Sequence, residues 1–264
     1  MELDVIYNED CYEGIKRIPD KSIDLVYVDV PYDLEGNDNN RDYEKEYNDS
    51  LNSNSISYLD KAHRKSTNEF KHIAFGFDFK LLDEFVRVLK NIYIYIWCSK
   101  KQILPLMKYF VEDRKCHFDI ITWHKTNPVP SCNLYHNDTE YCLVFRDSKA
   151  TKNNGNYFSK FKYFVSGLNA KDKSLYNHPT IKPVEFVKQH ILNSTDENDI
   201  VLDTFMGSGT TAVACKETNR HYIGFEISKE YYDIAMDRLD GVTQKEKNSE
   251  FKTEELWWCR QINI

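Results

Sequence analysis

Ile200-Val-Leu-Asp203-Thr-Phe-Met-Gly207-Ser-Gly209-Thr-Thr-Ala212 carries a short apolar run into a glycine loop. An apolar run of this kind reads as a buried parallel strand, here Ile200 to Leu202, and the residues after the loop as a helix. The spacing Gly207-x-Gly209-x-x-Ala212 lets backbone approach an anionic ligand at a helix N-terminus. About twenty residues beyond Asp203 lies Glu226, at the end of the next expected strand, where an acid can accept from both ribose hydroxyls. Loop and acid together indicate an adenosine-containing cofactor. They do not separate NAD from S-adenosylmethionine.

A second strand end makes that choice. Ile23 to Val28 is another apolar run, and it closes on Asp29-Val30-Pro31-Tyr32. Ligands of open α/β sheets sit at the carboxyl ends of strands, so the two blocks are expected to face one crevice. A carboxylate and an aromatic ring on a proline-stiffened turn suit a planar substrate bearing an amine. The exocyclic amine of adenine or cytosine is a poor nucleophile, because its lone pair is delocalised into the ring. Two acceptors, the Asp29 carboxylate and the Val30 carbonyl, would hold its N–H groups while the nitrogen pyramidalises. Tyr32 would stack on the base at about 1–3 kcal/mol. An ordinary Asp, with pKa about 3.9, is too weak a base to strip the amine first, so Asp29 is expected to orient it and stabilise charge.

The chain of 264 residues can bury a large core, and its 41% hydrophobic and 29% charged residues are ordinary for a globular protein. One domain over 1–264 is expected, because the two blocks lie near opposite ends. No apolar run approaches the roughly 20 residues that cross a bilayer, and the start Met-Glu-Leu-Asp lacks a leader pattern. A cytoplasmic protein without membrane contact is the expectation. Seven cysteines without a Cys-x-x-Cys pair read as reduced, mostly buried thiols. His124, His136 and His178 show no metal-ligand spacing, and no metal is expected. A net charge of −7 does not decide on nucleic acid, since a local basic face can hide in the sum.

Along the chain, strands are expected at Asp4 to Tyr7, Ile23 to Val28, Ile92 to Trp97, Phe118 to Trp123, Tyr141 to Phe145, Ile200 to Leu202 and His221 to Ile227. Helices are expected at Tyr12 to Arg17, Phe79 to Leu89, Gln102 to Val111, Pro183 to Asn193, after the glycine loop, and at Lys229 to Leu239. The alternation predicts a mostly parallel twisted sheet with helices on both faces. Residues 33–72 are polar and aperiodic, and read as a flexible insertion near the active site. Residues 146–173 are basic, with Arg146, Lys160 and Lys162 as candidate DNA contacts. Pro130-Ser-Cys132 reads as a structural thiol, and Trp257-Trp258 as tail packing.

Five blocks in order resemble the permuted, β-class amino-group DNA methyltransferases of the N6-adenine/N4-cytosine family: Tyr7-Asn-Glu-Asp-Cys11, Asp29 to Tyr32, Trp123-His-Lys-Thr-Asn-Pro128, His178-Pro-Thr-Ile-Lys-Pro183, and Val201 to Thr211. The resemblance covers nearly the whole chain. It implies a Rossmann-like S-adenosylmethionine-dependent fold with circularly permuted motif order, and adenine-N6 methylation of flipped bases in double-stranded DNA. It implies that Asp10 and Cys11 bind the cofactor adenine and Glu226 its ribose. It places Asp29, Lys182, Asp203, Phe205, Gly207, Ser208, Gly209, Thr210 and Thr211 about the rest of the cofactor. Asp29, Val30, Pro31 and Tyr32 hold the base, and 146–177 is the target-recognition segment. A homodimer and a cognate restriction endonuclease are further partners that the resemblance brings with it. Val30 and Thr204 stand where the family has prolines, and shifted loop rigidity is the expected result. Cytosine N4 is the alternative product, because the acid at position 29 leans to adenine only by correlation. A catalytically weak DNA-binding homologue, and an NAD oxidoreductase in which Asp29 and Lys182 have no task, are the rival readings.

Overall fold

The computed structural model describes residues 1–32, 76–128, 135–167 and 181–242. The expectations for the 33–72 insertion, Pro130-Ser-Cys132, His178, the later part of 146–177 and Trp257-Trp258 lie outside the described residues. In chain order the strands are β1 (Val5–Tyr7), β2 (Leu25–Asp29), β3 (Tyr93–Cys98), β4 (His117–Lys125), β5 (Thr139–Arg146), β6 (Tyr163–Ser166), β7 (Ile200–Asp203) and β8 (His221–Phe225). The helices are α1 (Cys11–Gly14), α2 (Lys80–Val88), α3 (Lys100–Met107), α4 (Val184–Ser194), α5 (Thr210–Glu217) and α6 (Lys229–Asp240). A 3-10 turn, Ile15–Arg17, extends α1, and a π-helical turn, Lys108–Asp113, extends α3. Pro105 sits inside α3 without an N–H to donate, and the chain beyond it continues in this wider winding.

Among the described residues one sheet of eight strands runs in the order β1-β8-β7-β2-β3-β5-β4-β6. Only β5 is antiparallel to its neighbours, β3 and β4. Residues 126–138 join β4 to β5, and an antiparallel neighbour is the one a short return can reach. This reversal inverts the ends of β5. Its first residues lie at the carboxyl edge of the parallel strands, with Tyr141 opposite Cys98, and Arg146 lies at the far edge opposite Tyr93.

Alternation builds the two core layers. Val26, Val28, Ile94, Ile96 and Cys98 face the layer closed by Leu81, Leu82, Phe85 and Val88 of α2. Leu25, Tyr27, Tyr95 and Trp97 face the other, closed by Phe186 and Ile191 of α4 and Ala212 and Cys215 of α5. Each large apolar side chain so buried contributes about 1.5–3 kcal/mol. The expected parallel sheet with helices on both faces is the fold observed.

Two details differ from the sequence reading. Ile23 lies outside β2 and makes a lone bridge to Leu89, so the strand is shifted and ends on Asp29 itself. β6 is an additional edge strand inside the basic segment. Tyr163 and Val165 on it are exposed, so the half-buried alternation that announces a strand is weak there.

Candidate active site

β2 and β7 pair in parallel, Leu25 with Val201 and Val26 with Leu202, so Asp29 and Asp203 come off neighbouring strand ends. The two blocks anticipated to face one crevice are brought side by side there, and the Asp29 carboxylate adds to the raised pKa of Asp203.

The glycine loop is held from within. Gly207 and Gly209 have φ of 53° and 78°, a region that disfavours other residues. A Cβ on Gly209 would stand 2.9 Å from the Ala235 side chain, so this glycine serves the close approach of α6. Arg238 of α6 donates to the Ser208 carbonyl at 2.7 Å and to the Thr210 hydroxyl at 3.0 Å. Buried Asp203 accepts from Phe205 N–H at 3.0 Å and from the Thr211 hydroxyl at 2.6 Å. Burial lifts its carboxyl to about 7. Ser208, Thr210, Thr211 and Asp203 therefore shape the loop through their own hydrogen bonds. Arg238 was not singled out in the sequence, because a basic residue near a helix C-terminus has an ordinary reading there.

Glu226 closes the loop's other side. Its Oε2 accepts from Gly207 N–H at 2.7 Å and its Oε1 from Ser228 N–H at 2.8 Å. Burial raises this carboxyl above its ordinary value. Its backbone N–H donates to Tyr7 O at 3.0 Å, which ties it to the β1 end. Just beyond, Asp10 caps α1 through Tyr12 N–H, and Cys11 begins the helix. Burial pushes the Cys11 thiol up to about 12, with Asp10, Glu226 and Asp203 adding to it. Asp10, Cys11, Glu226 and the glycine loop are thus gathered at one end of the crevice. The Glu226 carboxylate keeps lone-pair capacity beyond its backbone donors, which suits a pair of ribose hydroxyls.

Asp29 anchors a charge cluster at the other end. Lys182 Nζ lies 2.6 Å from Asp29 Oδ2 and 2.9 Å from Glu140 Oε2. Lys125 Nζ lies 2.5 Å from Glu140 Oε1, and the Tyr32 hydroxyl donates to Glu140 Oε2 at 3.3 Å. Burial raises the Asp29 carboxyl, with Lys182 pulling it back and Glu140 pushing it up. Burial alone would lift Glu140 too, but Lys182 and Lys125 outweigh it and hold this carboxyl well below its usual range. Burial opposes the Lys182 ammonium, and its two carboxylates overcome that. Lys182 also stands 4.9 Å over the Trp97 ring, whose Nε1 donates to the Tyr27 hydroxyl at 3.0 Å. Gln102 fixes the turn from the α3 side. Its Nε2 donates to Pro31 O at 2.9 Å and its Oε1 accepts from Ser99 N–H at 2.9 Å.

Lys182, expected about the cofactor, contacts the Asp29 carboxylate directly. Glu140 and Gln102 were not read from the sequence at all. Arg146 is six residues from Glu140 along β5, about 20 Å at strand rise, and is not brought to the crevice. Lys160 lies in the 3-10 turn Phe158–Lys160, which packs on α4 through Ser159, Gln189 and Asn193. Lys162 pairs with Asp119.

Residues 23–237 match the N6/N4 methyltransferase family, described as DNA methylase. Type II methyltransferase M.HpaI of Haemophilus parainfluenzae is 33% identical over 86% of this chain and 71% of its own. Type II methyltransferase M2.MboI of Moraxella bovis is 29% identical over 94% of this chain and 91% of its own. The crystal structure of the M1.HpyAVI–SAM complex superposes with a TM-score of 0.59 at 25% identity, covering 88% of this chain and 98% of that one. The cofactor is S-adenosyl-L-methionine, which the acid, the glycine loop and the helix N-terminus at this crevice fit. A match running from the start of β2 to α6, with the motif order of the sequence, means that the chain belongs to the N6/N4 family of DNA methylases.

Proposed function

We propose that the protein methylates the N6 amino group of adenine in double-stranded DNA, within the broader N6/N4 amino-methyltransferase activity of its family. The observation that carries this reading is the Asp29 carboxylate, ending β2 beside the cofactor loop and held on one oxygen by Lys182. S-adenosylmethionine supplies an electrophilic methyl group when bound. Glu226 would take its ribose, with Asp10 and Cys11 near its adenine and Phe205, Gly207 and the other loop residues along its length. The target base would be flipped from the duplex, since its amine cannot otherwise reach a buried donor.

Lys182 engages Asp29 Oδ2; the capacity left on this carboxylate would take one amine N–H, and the Val30 carbonyl the other. With both N–H groups accepted, the nitrogen lone pair turns out of the ring plane toward the methyl. Methylation makes this nitrogen cationic and its remaining protons acidic. Asp29, raised by burial, then takes one proton and returns it to solvent. Tyr32, with its hydroxyl tied to Glu140, offers its ring as a wall of fixed orientation for the base.

Mass spectrometry of nucleosides from DNA of expressing cells, with modified-base sequencing, tests the reading. N6-methyladenine at a defined site supports it. N4-methylcytosine would move the substrate to the alternative base, and unmodified DNA would leave only the DNA-binding homologue. The reading places the protein in the cytoplasm, with a cognate endonuclease and a second copy of the chain as the partners to seek.

Two predictions arise from the same reading. Glu226→Ala should weaken S-adenosylmethionine binding by about 1–3 kcal/mol, the range for lost hydrogen bonds to a charged group. Calorimetry giving the parent affinity would remove Glu226 from the site. Arg146, Lys160 and Lys162 remain the proposed DNA contacts. A base read by Arg146 would not be the one held at Asp29, given their separation along the sheet. Lys160→Ala with Lys162→Ala should weaken binding on every duplex and flatten the salt slope by up to about two. Affinity against salt measures this, and unchanged slope and affinity would place the grip elsewhere.

A further inference from the structure

We propose that Glu140 is a positioning residue for methyl transfer, acting through Lys182 and Tyr32 to set how Asp29 is presented to the base. The inference rests on the amino-methyltransferase reading above. Four chain segments meet at this one side chain. Glu140 lies near the start of β5, among the described strands the only one that runs against its neighbours, and this orientation brings an acid to the carboxyl edge of the sheet. One oxygen takes Lys125 from the end of β4, and the other takes both Lys182 and the Tyr32 hydroxyl. Glu140 and Asp29 thereby share Lys182, at 2.9 and 2.6 Å.

Sharing has a chemical consequence. A lysine paired to Asp29 alone would draw charge from the carboxylate and make it a poorer acceptor for the amine. Glu140 takes part of that attraction and leaves more of the Asp29 charge available to the substrate. It also sets the Tyr32 ring through its hydroxyl. A plain staple between β4 and β5 would need Lys125 alone, whereas Glu140 has the two further partners in the base pocket.

The groups around Asp29 that bear on its ionisation are Lys182, Glu140, Tyr32 and Tyr27, the thiols of Cys98 and Cys142, and Asp203. The Cys98 thiol, up at about 12, stays protonated at neutral pH. Asp203 titrates near neutrality, but it is common to all variants, so differences between pH profiles read Asp29.

The test compares the parent, Glu140→Gln and Lys125→Met by methyl incorporation into DNA at saturating substrates across pH. In Glu140→Gln, Lys182 serves Asp29 undivided. The plateau kcat should fall about tenfold or more, and its acid limb should move down by about half a unit to one unit. Affinity for S-adenosylmethionine should stay within a few-fold. Lys125→Met has the opposite sign, because Glu140 then competes harder for Lys182, so the acid limb should move up. A merely structural role would lower the active fraction in both variants without moving either limb, and that result overturns the proposal. Should Glu140→Gln fail to fold, the upward shift in Lys125→Met supports the inference and its absence sinks it. A parent protein that transfers no methyl would instead fail the functional reading on which the inference stands.

Discussion

Asp29→Ala should lower methyl transfer by at least about a hundredfold to a thousandfold while S-adenosylmethionine binds within a few-fold of the parent. The carboxylate ends β2 on the proposed base side of the crevice, whereas Glu226 and the glycine loop lie toward the other end. Its interaction with the amine strengthens as the nitrogen becomes cationic, so its loss falls on the transition state more than on the ground state. Folding should survive, because Lys182 keeps Glu140 as a partner at 2.9 Å and no lone ammonium is left in the core. Single-turnover incorporation, calorimetry with the cofactor and thermal unfolding separate these effects. A large loss of cofactor affinity with turnover retained at saturation would reassign Asp29 to the cofactor.

The sheet and both site blocks were legible because their signals are local. The β-branched and aromatic run Tyr93-Ile-Tyr-Ile-Trp-Cys98 and the glycine loop after Ile200 each announce an element within a few residues. The gathering of Asp29 and Asp203 followed from a general property of strand ends. The charge cluster did not follow, because it depends on a reversal of one strand. Glu140, Cys142 and Val144 alternate onto one face of β5, and the last two are core residues of the layer under Trp97. That periodicity marks Glu140 as facing inward, and an inward acid needs a cation. Which cation, and at which edge of the sheet, is set by the antiparallel pairing with β3, and nothing in the strand's own residues states it. The same reversal carries Arg146 away from the crevice. Its place in the chain, close after the catalytic half, says nothing of which end of the strand it occupies. Gln102 was hidden for a different reason: its work is to hold Pro31 O from a helix start, a contact across 71 positions.

Lys182→Met should be the most damaging single change in the site, lowering both stability and activity. Lys182 is buried between two carboxylates, and losing the only cation that contacts Asp29 among the described residues leaves a half-buried carboxylate uncompensated. The expected cost is about 1.5–3 kcal/mol, the range for hydrogen bonds to charged groups, since Asp29 is only half-buried. Glu140 retains Lys125, so the burden falls on Asp29, which would hold a proton to higher pH than it does in the parent. The sign of the pH dependence follows. In the parent, Glu140 lies below its unfolded value of about 4.3, so its contribution is complete at neutral pH and is lost in acid. In the variant, Asp29 binds its proton more tightly folded than unfolded, so stability declines as pH rises from its unfolded value, about 3.9, through the raised folded value. Urea unfolding should therefore show a wider gap between parent and variant at pH 8 than at pH 5. Methyl transfer should fall at neutral pH and recover in part toward alkaline pH, as Asp29 ionises in the fraction that remains folded. A gap that narrows as pH rises would mean that Asp29 keeps its charge without Lys182, through the Tyr32 hydroxyl and solvent, and that the lysine is placed there for the cofactor.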